Sequence, residues 1–131
     1  MRINRPILAA SALILHTGRI LLVRSKTTQE EWGFPGGKQE KEETPQQAVS
    51  REVKEELGID IHVGKELGSF ISHNKKFEIK CFVAEARSFD LRVNRDEIIE
   101  VKWCTLRESL ALNLTSTTRE ALEKFTAQHQ G

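Results

Sequence analysis

The chain alternates between apolar runs with the period of a strand and polar stretches rich in turn residues. Ile7 to Leu15 is apolar except for Ser11 and predicts a buried strand. Thr17-Gly18 reads as a turn, and Ile20 to Val23 as the returning strand of a hairpin. A polar loop from Arg24 to Glu31 leads to Trp32-Gly33-Phe34, a short aromatic strand that enters a tight turn at Pro35-Gly36-Gly37. The period then changes to that of a helix from Pro45 to Leu57, with Val49, Val53 and Leu57 on one stripe. Two strand pieces follow, Ile59 to Val63 and Leu67 to Ile71, split by Gly64-Lys65-Glu66. Ser72 to Lys76 is a polar, basic turn, and Phe77 to Ala86 is apolar enough for a central strand. Leu91 to Val93 suggests a short strand, Ile98 to Cys104 another, and Leu106 to Leu110 a short helix. An amphipathic helix from Ser116 to Gln128 carries Ala121, Leu122 and Phe125, and the tail frays toward Gly131. Without repeats or linkers, this order predicts an α/β fold: one domain over residues 1–131, with a mixed sheet flanked by helices.

The middle helix is the best-defined element. Thr44 suits the N-cap, Pro45 the first helical position, Gln47 the far end of a capping box and Gly58 a left-handed C-cap. Beside the apolar stripe lie Glu52, Glu55 and Glu56. Glu52 and Glu56 form a like-charge pair four residues apart, near the negative end of the helix dipole. A solvated acidic face is the plain explanation of such a cluster. The alternative is a divalent cation, Mg²⁺ or Mn²⁺, which suits hard oxygen ligands and removes both electrostatic costs.

Composition narrows the partners. With 20 Lys and Arg against 19 Asp and Glu, there is no global basic field for nucleic acid. Any attraction for an anion must be local or come from a metal. Cys81 and Cys104 lie in apolar runs and read as buried free thiols, with neither disulfide framework nor zinc spacing. The N-terminus lacks a signal-peptide pattern and no run is long enough for a membrane, so a cytoplasmic protein is expected.

Gly37, Glu43, Arg51, Glu52, Val53, Glu55, Glu56, Gly58 and Ile59 occupy every specified position of the Nudix box, Gly-x5-Glu-x7-Arg-Glu-aliphatic-x-Glu-Glu-x-Gly-aliphatic. The chain thus resembles a Nudix hydrolase, and the resemblance implies an α/β/α sandwich. It also implies metal-assisted attack of water on a phosphorus of a diphosphate linkage. Carried over position by position, Glu52 and Glu56 are the expected metal ligands, joined by Glu55 and the carbonyl of Gly36. Arg51 is expected to orient carboxylates, with Glu43 as its partner. The general base falls on Glu97, six residues before Trp103, with Asp96, Glu100 or a box glutamate as rivals. Many members carry Gly just before the first box glutamate. Here it is Glu42, so the turn is expected to take an ordinary backbone there.

The substrate is read from marks outside the box. The chain has no tyrosine and its prolines are Pro6, Pro35 and Pro45 only. The marks of dinucleoside polyphosphate hydrolases and of many ADP-ribose enzymes are therefore absent. Within the resemblance, the compact length favours the branch that acts on nucleoside triphosphates, oxidised or non-standard ones included, which implies cleavage to monophosphate and pyrophosphate. ADP-ribose or a nucleotide sugar is the alternative substrate, and a non-catalytic nucleotide-binding module the alternative class. Trp32, Phe34 and Phe77 are candidates to stack a base and Asn113 to read its edge, against the plainer reading of core aromatics and a turn residue. His73 and Lys75 belong to a polar turn that either borders the cleft or faces solvent. Pairing of two copies is consistent with the resemblance, though no residue marks an interface.

Overall fold

The structure is a computed structural model and describes residues 5–129; Gly131, the end of the expected fraying tail, lies outside them. Six strands and three helices follow in chain order. They are β1 (Ile7–His16), β2 (Arg19–Ser25), β3 (Gly36–Lys38), α1 (Pro45–Leu57), β4 (Ile61–Ile71), β5 (Phe77–Ala86), β6 (Ile98–Thr105), α2 (Leu106–Leu110) and α3 (Ser116–Gln128). The strands form one mixed sheet in the order β4-β5-β1-β2-β6, with β3 added beside β1. A parallel ladder joins β1 to β5, from Ile7 opposite Phe77 to Leu15 opposite Glu85. Such a pairing needs a crossover, and α1 supplies it.

The two faces of the sheet bury two cores. Ala10, Ala12 and Ile14 point toward α1 and pack with Val49, Val53 and Leu57. Leu13, Ile20 and Leu22 point the other way and pack with Leu122 and Phe125 of α3. The alternation along β1 and β2 thus places a helix on each face, an α/β/α arrangement. Cys81 and Cys104 are buried free thiols.

Helix α1 has the termini its sequence predicts. Thr44 accepts the Gln47 N–H at 3.1 Å and Gln47 accepts the Thr44 N–H at 2.9 Å, which completes the capping box. Gly58 closes the helix at φ 72°. The hairpin turn is equally local: Thr17 and Gly18 both take positive φ, as the twist of a tight hairpin requires.

Three expectations are corrected. The two pieces around Gly64-Lys65-Glu66 are one strand, β4, whose register against β5 slips between Val63 and Glu66 and again between Glu66 and Gly68. A polar interruption on an edge strand is absorbed as a bulge rather than a break. Leu91 to Val93 is no strand; Leu91 and Val93 pack as loop residues against the core beneath α1. Trp32 to Phe34 makes only isolated bridges, Gly33 to Val23 and Trp32 to Leu114, and the strand begins after it at Gly36.

Glu42 also departs from expectation. Its φ is +69°, so the turn keeps the left-handed backbone that glycine adopts freely, although a side chain sits there. Glu42 is exposed and makes no side-chain hydrogen bond to a described residue. Glu42→Gly is therefore expected to stabilise the protein by about 0.5–1 kcal/mol, relief of strain outweighing added freedom in the unfolded chain. Urea denaturation with an unchanged m value would show it; a lower midpoint would contradict it.

Candidate active site

The acidic end of the site is where α1 meets β3. Gly36 and Gly37 lie in β3, paired with Ser11 and Ala10 of β1, and α1 packs across them. The backbone of Gly36 has φ +153°, and any Cβ there would collide with the Ala10 carbonyl. Close approach of β3 to β1 therefore requires glycine at this position. A Cβ on Gly37 would press into the Glu52 carboxylate, so the bare backbone leaves that group its place.

Glu56 is turned inward and only 7% exposed. Its Oε1 accepts the Gly36 N–H at 3.2 Å. Burial, reinforced by the charge of Glu52, pushes its carboxyl up to about 8, and Glu97 and Glu55 add to the effect. Glu52 is also raised, by burial first, despite the opposing pull of Arg51.

Arg51 ties the surrounding chain together. Its Nε and Nη2 donate to the two oxygens of Glu43 at 2.7 and 3.0 Å, a bidentate pair. Nη2 also donates to the Lys38 carbonyl at 3.0 Å, and Nη1 to Glu52 Oε1 at 3.0 Å. Glu55 is reached at 3.3 Å but stays half exposed on the outer face of the helix. The hydrogen bonds from Arg51 hold the Glu43 carboxyl down at about 2.

A cleft of about 710 Å³ runs from this acidic end across the sheet. Gly36, Gly37, Glu52, Glu56 and Glu97 line one end, and Phe34, Phe77 and Ile79 offer an apolar wall farther along. Among the rivals for the base, Glu97 borders the cleft. Glu100 instead faces Arg24 at 2.8 Å, and Asp96 is not among the lining residues. Trp32 and Asn113 do not line the cleft either. Trp32 is buried in the core beneath α3, with Arg24 and Lys102 over its ring at 5.5 and 5.6 Å, and the Asn113 carbonyl accepts the Trp32 N–H. His73 borders the cleft, and Lys75 is not among its lining residues.

Sequence reasoning passed over the hydroxyl run Thr115 to Thr118, all of which lines the cleft. Its signal was present: a hydroxyl before an amphipathic helix marks an N-cap, and a run of them leaves some free. A second cavity of about 590 Å³ lies between the bulge of β4 and the end of α3, away from the acidic cluster.

The donors present fit a hard divalent cation. They are carboxylate oxygens, one of them buried and short of positive charge, beside a backbone free of side chains. Among the described residues, no three acidic side chains already converge on one ion position. Glu52 and Glu56 are the groups at the cleft that would hold one; Glu97 borders the same cleft, and Glu55 is not among its lining residues.

An acidic end joined to an apolar wall in one cleft suits a ligand with an anionic, cation-bound part and an apolar part. The family model of the NUDIX domain matches residues 5–125. The CTP pyrophosphohydrolase of Escherichia coli (strain K12) is 31% identical over 120 residues, 89% of each chain. An 8-oxo-dGTP diphosphatase of Proteus vulgaris is 63% identical over 30 residues, 23% of this chain and 27% of that protein. A MutT NUDIX hydrolase from Burkholderia pseudomallei shares the fold at a TM-score of 0.83 and 34% identity, over 92% of this chain and 98% of that one. The chain belongs to the Nudix family and is a hydrolase acting on pyrophosphate bonds. Enzymes of this family need divalent metal ions. No described helix is long and apolar enough to cross a membrane.

The raised Glu56 carboxyl sets a pH dependence. Its folded value of about 8 lies above the ordinary 4.5, so its contribution to stability is fully present below about 4.5 and lost as pH rises through 8. In chelator, the melting temperature is expected to fall from pH 6 to pH 9, and the fall should shrink in Glu56→Gln and in wild type with a divalent cation. At pH 9 the metal-free variant should melt about 5 °C or more above wild type. Equal slopes for both proteins would exclude Glu56 as the source.

Proposed function

We propose that this chain hydrolyses nucleoside triphosphates to monophosphate and pyrophosphate with Mg²⁺, for which Mn²⁺ substitutes. One observation carries the reading: a single cleft joins the carboxylates of Glu52, Glu56 and Glu97 to the apolar wall of Phe34 and Phe77. A base laid on that wall directs its phosphate chain toward the acidic end. The CTP and 8-oxo-dGTP activities named for the two relatives agree with a triphosphate substrate.

When bound, the cation neutralises phosphate charge and makes a bound water more acidic. The residues of the chain do the rest. Glu52 and Glu56 would hold the cation, and Arg51 keeps Glu52 oriented through its 3.0 Å hydrogen bond. Glu97 accepts a proton from water as the water oxygen bonds to phosphorus. The bridging P–O bond breaks and pyrophosphate departs. Glu55 acts on the site through Arg51 and through its charge, without touching the cleft. Action in the cytoplasm by one catalytic domain completes the reading.

Product analysis over common and oxidised triphosphates, ADP-ribose, nucleotide sugars and dinucleoside polyphosphates is the test. Monophosphate plus pyrophosphate from a triphosphate, abolished by chelation, is expected. Cleavage confined to ADP-ribose or sugar nucleotides would overturn the substrate assignment, and binding without turnover would point to a non-catalytic module. Glu97→Gln should lower kcat by about 10²–10⁴-fold, and Glu56→Gln should remove most turnover with the fold kept. Full activity in Glu97→Gln, with loss in Asp96→Asn or Glu100→Gln, would reassign the base.

A further inference from the structure

Helix α1 ends against the loop that leads to β6. The last carbonyls of a helix lack partners within it. Here the Gly58 N–H takes the Lys54 carbonyl, and the loop takes the final two. Asn94 N–H donates to the Glu56 carbonyl and Arg92 N–H to the Leu57 carbonyl, both at 2.8 Å. The alternate side chains of this segment, Leu91 and Val93, pack against the core beneath α1. The fit is close: a Cβ on Gly58 would lie 2.7 Å from that of Arg92. The glycine that closes the helix is thus also the bare surface on which the loop rests.

Asn94 then starts a turn that ends on Glu97. Its carbonyl accepts the N–H of Glu97 at 3.1 Å and that of Ile98 at 2.9 Å. Its side-chain Oδ1 accepts the Asp96 N–H at 3.0 Å, the turn that asparagine forms with the backbone two residues on. On the other side, the Glu97 carbonyl accepts the Lys26 N–H at 2.8 Å. Glu97 is exposed, it lines the cleft, and its carboxylate has no hydrogen bond or ion pair to a described residue. The carboxylate is therefore aimed by its backbone, and Asn94 shapes that backbone. Through Asn94, two hydrogen bonds separate the backbone of Glu97 from that of Glu56.

We infer that Asn94 is a positioning residue, which sets Glu97 at a fixed place relative to Glu56 at the acidic end of the cleft. Asn94 is not among the residues lining the cleft, so it acts through the turn rather than on the substrate. A carboxamide suits the task, because it offers an acceptor without adding charge beside Glu52, Glu56 and Glu97. The inference rests on the role proposed above for Glu97 and adds the residue through which that role is held.

The test begins with Asn94→Ala, which removes the side-chain acceptor and leaves the backbone bonds available. Asn94→Asp and Asn94→Ser restore an acceptor, the second without charge. On a nucleotide that the enzyme cleaves, kcat should fall about 3- to 10-fold in the alanine variant, the scale of one hydrogen bond, with KM little changed. Activity should recover at least in part in one of the two restoring variants. Mn²⁺ affinity, read by electron paramagnetic resonance, should hold, because Glu52 and Glu56 keep their places. Hydrogen exchange at the Asp96 and Glu97 amides should quicken in the alanine variant. The decisive arm is a Glu97→Gln background, in which Asn94→Ala should cost little more, since it acts through the group already removed. An equal fall in both backgrounds, no fall in the wild-type background, or a loss of Mn²⁺ affinity along with kcat would overturn the inference and leave the proposed function standing. Full activity in Glu97→Gln would remove the proposed base and the inference with it. If no nucleotide is cleaved, the proposed function falls and amide exchange alone decides: faster exchange at Glu97 supports the positioning role, and unchanged exchange overturns it.

Discussion

A carboxylate taken out of water beside other carboxylates is the constraint on which this molecule turns. Glu56 lies on the inner side of α1, between a helix that must pack and a strand that must come close, and one N–H of Gly36 is its hydrogen-bond donor. An isolated chain gains nothing from such a placement, because burial favours the neutral acid and opposes the charge that a cation needs. The surrounding features make sense as accommodations to it. Glycine at positions 36 and 37 lets β3 run close to both β1 and α1. The left-handed closure at Gly58 ends the helix just beyond the acid cluster.

Arginine rather than lysine at position 51 follows from the same demand. A planar fork can engage Glu43 with two bonds, hold a backbone carbonyl and still reach Glu52. A single ammonium could not span those directions. The pairing binds the loop between β3 and α1 to the helix it precedes. It also separates the roles of the box glutamates. Glu43 serves the architecture of the loop, Glu52 and Glu56 face the cleft, and Glu55 remains outside.

What could be read from the sequence was local. Both caps of α1, its length and the hairpin turn are set by neighbours within about four residues, and the structure shows them where the residue types place them. The box announced the family because its spacing is itself a local geometry. What could not be read depends on distant packing. Whether Trp32 faced the cleft or the core was decided by α3, far along the chain, and by the bridge to Leu114. Which of Asp96, Glu97 and Glu100 borders the cleft was decided by how the loop before β6 meets β2, where Glu100 is drawn to Arg24. The strand through Gly64 survived because an edge strand can bulge, which alternation alone does not reveal. Glu42 shows the reverse case, a backbone shape imposed by the turn on a residue ill suited to it.

The cleft draws its walls from nearly the whole chain, from Ala9 on β1 to Thr118 on α3. An occupant therefore touches segments that no local opening can keep together. If α3 lifts or the β1–β5 ladder frays, a wall is lost and the occupant leaves. Ligand occupancy thus suppresses partial openings along with complete unfolding, and slow amide hydrogen exchange spreads over the sheet instead of staying at the contact residues. In this fold, filling the cleft and holding β1 and α3 in one cooperative unit are the same event.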